Sequence, residues 1–158
     1  MEIRVATEDD FDTVYNMWKA ERKVLGPPWK STLTDQLKKQ EFHLAYDGEQ
    51  LVGMVCLHYS KKYVRYEIIA LVVLPEFRRK GYASEMLEYV LNTKTQKKTL
   101  LGDVKIPVLL GALDGAENNK FYDTFCTVEW FNEYKTCRTR VYQVDEERLH
   151  AINKARKG

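Results

Sequence analysis

The residues of this chain best placed to do chemistry sit in one short basic loop. Arg78, Arg79, Lys80, Gly81, Tyr82, Ala83 and Ser84 follow an apolar run at 68–75 that ends in a proline. They open a stretch with apolar residues at helical spacing: Ala83, Met86, Leu87, Val90 and Leu91. A loop joining a strand to a helix leaves the amides of the first helical turn unpaired and aimed one way, towards an anion. Three cationic side chains add to that field, and Gly81 has no side chain to obstruct a bulky guest. The chemistry implied is capture of a diphosphate, the pyrophosphate of a nucleotide-like cofactor.

The elements that position this loop can be read along the chain. Residues 3–6 alternate as a half-buried strand does, and Thr7 caps a helix carrying Phe11, Val14, Tyr15 and Trp18 on one face. Gly26-Pro27-Pro28-Trp29 breaks the chain, and a second helix is expected from about Thr34 to Gln40. Residues 42–46 and 51–59 read as a hairpin around Asp47-Gly48, and 63–73 as a longer strand. After the helix that the basic loop opens, 92–99 reads as a loop or a frayed helix end. An apolar strand at 108–113, a short helix at 117–125, a pair of strands at 129–134 and 139–144, and a basic amphipathic helix at 146–157 complete the chain. Strands in hairpins early and late, with helical crossovers between, predict an α/β fold: a mixed sheet with helices on both faces. Residues 1–145 are expected to form one domain, with 146–158 as its helical tail.

Composition narrows the partners. The 158 residues include 25 Lys or Arg and 23 Asp or Glu, a formal net charge of +2. That balance gives no case for nucleic-acid binding through bulk charge. The apolar run at 68–75 is far too short to cross a bilayer, and the opening MEIRVATEDD is acidic where a signal peptide is basic and then apolar. A cytoplasmic protein is expected, with Cys56, Cys126 and Cys137 as reduced thiols. His43, His58 and His150 are scattered, so no metal is expected.

Arg78-Arg79-Lys80-Gly81-Tyr82-Ala83 fits the pattern (Arg/Gln)-x-x-Gly-x-(Gly/Ala), preceded by Val73-x-Pro75, between a strand and a helix. With the order of elements from residue 1 to about 144, this resembles the GNAT superfamily of N-acetyltransferases. The resemblance implies a sheet of about seven mostly antiparallel strands, with a splayed parallel pair in the middle. It implies acetyl-CoA as co-substrate, its pyrophosphate on the amides from Arg79 to Ser84, and its pantetheine arm along the backbone of Leu71, Val72 and Val73. The chain departs from the family where Tyr122 is followed by Asp123-Thr124-Phe125-Cys126, without the glycine of the usual Tyr-x-x-Gly-Phe.

Acetyl transfer from a thioester to an amine needs a base for the ammonium, donors for the oxyanion, and a donor for the departing thiolate. Histone-type members of the family carry a glutamate eleven residues before the loop, and Glu67 matches it. Strand parity sets Glu67 on the face of Ile69, Leu71 and Val73; its competing role is an ion pair with Arg65 or Lys62. Tyr122 resembles the family's tyrosine aimed at the CoA sulfur, the alternative being an aromatic of the core. Asn118 or Asn119 would hold the pantetheine, with Asn118 favoured because it lies one turn before Tyr122. Trp29 and Tyr15 are expected to line the acceptor pocket, with Trp130 and Tyr134 facing it, while Trp18 belongs to the core.

The acceptor that the resemblance implies is a primary amine of a small molecule or a peptide. The basic tail helix is either a solvated face or a contact for an acidic partner or a second subunit, which leaves a homodimer open. The alternative to an enzyme is a non-catalytic acyl-CoA-binding sensor or interaction module of the same fold.

Overall fold

The computed structural model describes residues 1–99 and 102–158. The chain divides into two compact units, Met1–Leu57 with Ala70–Leu87, and His58–Ile69 with Glu88–Gly158. Strands β3 (Gln50–Ser60) and β4 (Arg65–Val73) contribute residues to both. The strand order is β1-β2-β3-β4-β7-β9-β8, a mixed seven-stranded sheet of the expected class.

In the first unit, β1 (Glu2–Val5) pairs antiparallel with β2 (Phe42–Asp47), and β2 with β3. Thr7 and Asp10 form a reciprocal capping box, the Asp10 carboxylate accepting the Thr7 N–H at 2.9 Å. The box opens a 3-10 turn, and α1 (Phe11–Ala20) follows it. Helix α1 buries Val14, Met17 and Trp18. The Trp18 indole N–H donates to the Gly26 carbonyl at 3.0 Å, so this tryptophan is core, as expected. After the short α2 (Arg22–Leu25), α3 spans Lys30–Lys38, starting earlier than the sequence suggests. Thr34 lies inside it, its hydroxyl donating back to the Lys30 carbonyl at 2.8 Å.

Gly53 decides how closely β3 and β4 approach in this unit. A Cβ there would lie 2.1 Å from the Val72 carbonyl oxygen, so only glycine lets that main chain pass. The register of β2 against β3 also shifts between Ala45 and Tyr46, a bulge in the same region.

In the second unit, the start of β4 pairs in parallel with β7 (Val108–Leu113) from Tyr66↔Val108 to Ile68↔Leu110. The ladder stops there: Ile69 and Gly111 are not partners. Strand β7 continues against β9 (Arg138–Val144), which pairs with β8 (Cys126–Glu133), both antiparallel. Helix α5 (Asn118–Asp123) packs Tyr122 against Phe125 and Tyr142, and α6 (Glu146–Lys157) is capped by Asp145, which accepts the Arg148 N–H at 3.1 Å.

Helix α4 (Tyr82–Lys94) has residues in both units. Where the sequence suggests a loop or frayed end, it is followed by a hairpin of β5 (Gln96–Thr99) and β6 (Gly102–Lys105). These strands are mostly polar and pair only with each other, so no apolar alternation announces them. No helix among the described residues is long and apolar enough to cross a membrane.

Candidate active site

The basic loop belongs to the first unit. Residues of the 3-10 turn Pro75–Phe77 lead into it, and α4 leaves it at Tyr82. Arg79 and Gly81 both adopt left-handed backbone, at φ 63° and 88°. Glycine does this freely, while an arginine pays about 1–2 kcal/mol. Among the described residues, the amides of Arg79, Lys80, Tyr82 and Ala83 donate no hydrogen bond. Four unspent donors thus stand at the start of a 13-residue helix.

The side chains of the loop hold it in place. Arg78 donates through Nε to the Val73 carbonyl at 2.9 Å and forms an ion pair with Glu21. Tyr82 donates its hydroxyl to the Asp47 carboxylate at 2.7 Å, and that bond raises the phenol's pKa. Ser84 is buried, its hydroxyl donating to the Gly81 carbonyl at 3.1 Å. Arg79 and Lys80 are exposed.

The strand before the loop exchanges its hydrogen-bonding side. Tyr66 and Leu74 have the same parity, yet the first donates its amide to the Pro107 carbonyl and the second to the Val52 carbonyl. The Val72 carbonyl likewise lies over Gly53. Alternation then turns the main-chain groups of Leu71 and Val73 away from β3.

Tyr15 and Trp29 lie in this unit too, but not as a closed aromatic wall. Trp29 is 67% exposed. Tyr15 stacks on Phe11 and carries the Lys30 ammonium 5.7 Å from its ring centre.

The second unit holds Glu67, Tyr122 and Asn118. Glu67 lines a cavity of about 340 Å³ with Arg65, Ile69, Leu109, Gly111, Trp130, Asn132 and Val141. It sits on the half-exposed face of β4, opposite buried Tyr66, Ile68 and Ala70. Arg65 approaches it at 3.7 Å, the ion pair that the sequence left open as its alternative.

Tyr122 is 8% exposed. Burial, and then the neighbouring Cys126 and Tyr142, push its pKa up to about 12, so the hydroxyl is protonated at any physiological pH. That hydroxyl has no hydrogen-bond partner among the described residues.

Asn119 and Asn118 divide their work. Asn119 is buried, its Oδ1 accepting the Gly115 N–H at 2.7 Å and its Nδ2 donating to the Leu113 carbonyl at 3.0 Å. It therefore ties α5 to the end of β7. Asn118 accepts only a long 3.4 Å bond from Asn119 and stays half-exposed.

Two participants escape a reading of the sequence. Glu21, which anchors Arg78, lies 57 residues away and carries no local signal. Asn132 sits near the end of the mostly exposed strand β8, where nothing marks it as lining a cavity.

Comparison with known proteins bears on the fold and the family. The fold is similar to that of an aminoglycoside 6'-N-acetyltransferase solved with coenzyme A, at 12% identity and a TM-score of 0.72, covering 92% of this chain and 97% of that one. It is similar also to the ribosomal-protein-S18-alanine N-acetyltransferase of Escherichia coli, at 9% identity, TM-score 0.68, covering 90% and 92%. The PaiA N-acetyltransferase of Thermoplasma acidophilum, solved with coenzyme A, matches at 16% identity, TM-score 0.64, covering 91% and 98%. No curated protein matches in sequence. The model of the acetyltransferase (GNAT) family matches residues 11–106, well over half of the chain, and the protein belongs to that family.

Proposed function

We propose that this protein is an N-acetyltransferase that moves the acetyl group of acetyl-CoA to a primary amine. The observation that carries the reading is the set of unpaired amides at Arg79, Lys80, Tyr82 and Ala83, at the mouth of α4. A diphosphate there gains charge-assisted hydrogen bonds and the helix field together. Arg78 braces the loop, Arg79 and Lys80 supply positive charge, Gly81 leaves room, and Ser84 holds the turn. Leu71, Val72 and Val73 bring the strand that carries the pantetheine arm, as an added strand would be carried, and Asn118 steadies it. Coenzyme A in two of the similar structures supports this donor.

Glu67 acts as general base, directly or through water. The neutral amine attacks the thioester carbonyl, and the C–S bond breaks as the tetrahedral intermediate collapses. The thiolate leaves with Tyr122 as general acid, through a hydrogen bond that tightens as charge builds on sulfur. Trp29 and Tyr15 form the outer wall for the acceptor. Three free cysteines suit a reducing compartment, the cytoplasm.

The test is thiol release from acetyl-CoA across a panel of amines, amino acids, polyamines and lysine peptides. Wild-type protein releases free CoA with at least one acceptor. Glu67→Gln lowers kcat by about 100-fold while acetyl-CoA affinity holds. Binding of acetyl-CoA without release of thiol by any acceptor would instead favour a sensor module.

A further inference from the structure

We infer that Arg65 is the acceptor's carboxylate-binding group, and that the acceptor is a free α-amino acid with an apolar side chain. The inference rests on the acetyl-transfer reading and adds the class of substrate.

Arg65 is placed unusually for a structural arginine. Its guanidinium lies 4.5 Å from the centre of the Tyr63 ring and 5.6 Å from that of Trp130, with the side chain only 22% exposed. Two aromatic rings within cation–π reach restrain where the guanidinium can lie. Yet its only charged contact among the described residues is the Glu67 ion pair: Arg65 makes no hydrogen bond there, and its buried Nε–H has no hydrogen-bond partner. Glu67 stands at 3.7 Å, beyond hydrogen-bond reach. A half-buried, pre-oriented cation with unused donors is suited to bidentate capture of a carboxylate.

The neighbouring charge selects the ligand further. Arg65 and Glu67 are two apart on one face of β4, about 6.6 Å along the strand, and both line the same cavity in the second unit. One positive and one negative group side by side complement a zwitterion. The carboxylate goes to Arg65, and the ammonium, one carbon away, goes to Glu67. A dianion such as phosphate would meet Glu67 as a like charge. Glu67 would then take the proton from the very amine that Arg65 has positioned, which links recognition to the base. Ile69, Leu109 and Trp130 give the rest of the cavity an apolar lining for the side chain, and Asn132 adds an amide to it.

The experiment compares matched acceptors that differ only by the carboxylate: L-leucine with 3-methylbutylamine, and L-phenylalanine with phenethylamine. Thiol release is measured for wild type, Arg65→Gln and Arg65→Lys, and amino-acid binding is followed by saturation-transfer NMR. Wild type is expected to favour an amino acid over its amine by about 10- to 100-fold in kcat/KM. Arg65→Gln abolishes that preference by lowering the amino-acid rate far more than the amine rate, and Arg65→Lys, which keeps charge without the fork, restores part of it. Equal rates for amine and amino acid in wild type overturn the inference while leaving acetyl transfer standing. So does an Arg65→Gln variant that slows both acceptors alike, or the lack of any amino-acid binding at millimolar concentration. Failure to bind acetyl-CoA counts against the acetyl-transfer reading, and the NMR measurement still decides Arg65.

Discussion

At the scale of the residue, the two proposed catalytic groups differ in what surrounds them. Glu67 shares an open cavity with a cation, while Tyr122 is packed among Phe121, Phe125 and Tyr142. A phenol whose pKa is pushed up to about 12 stays neutral through pH 10. Handing its proton outright to a thiolate of pKa near 8.5 would cost roughly 5 kcal/mol in water. Its contribution is therefore a hydrogen bond to the leaving sulfur, strongest where water is excluded. Tyr122→Phe should lower kcat about 10- to 100-fold, leave acetyl-CoA affinity intact, and keep the shape of the pH–rate profile below pH 10 unchanged. A lost alkaline limb in that range would show instead that Tyr122 titrates during turnover, against the direction that burial gives it. Sequence offered Tyr122 through its place after Phe121, with the core as its alternative, but not the partner that buries it, Tyr142 from β9, twenty residues further on. It offered Arg65 only as a neighbour of Glu67. The ring of Trp130 that flanks Arg65 comes from β8, and pairing across that distance leaves no local mark.

At the scale of the element, the strand that leads to the basic loop is shaped by a residue outside it. Gly53 of β3 accepts the Val72 carbonyl where any side chain would collide. All three contacting atoms, from Val72 and Val73, are backbone, so none can swing aside as a flexible side chain would. Gly53→Ala should therefore destabilise the protein by about 2–3 kcal/mol, a fall of roughly 5–10 °C in Tm for a chain of this size. Thermal unfolding measures it, and a variant as stable as wild type would mean that the two strands yield easily. The same substitution should weaken acetyl-CoA binding, since Val72 leads directly into the loop. Long elements with apolar periodicity were legible: β4 and α4 stand where alternation and helical spacing set them. The hairpin of β5 and β6 was not, because its strands are polar and find their partners in each other's main chains. The sequence reading starts α3 at about Thr34, four residues after its actual start at Lys30, although Pro27 and Pro28 already end the preceding segment.

At the scale of the whole molecule, the proposed donor site asks for one kind of ligand over others with the same diphosphate. The chain has a formal net charge of +2, too small to attract nucleotides through a general field. Selection must come from the loop acting with what lies beyond the diphosphate: the amides at 79–83 take the phosphates, and β4 takes an extended arm with amide groups of its own. ATP and NAD carry phosphates and adenine but no such arm, so they can use the loop and not the strand. Binding to the native state alone adds RT ln(1 + [L]/Kd), about 2.7 kcal/mol at a hundred times Kd, or roughly 5–10 °C in Tm for about 150 residues. Acetyl-CoA and CoA should both give a shift of that size at sub-millimolar concentration, since they share the arm and the diphosphate. ATP and NAD should give a small fraction of it. Equal shifts for all four would mean that the loop alone carries the affinity. The strand would then have no part in recognition, and a nucleotide-binding protein without acyl transfer would account for the fold better than an acetyltransferase does.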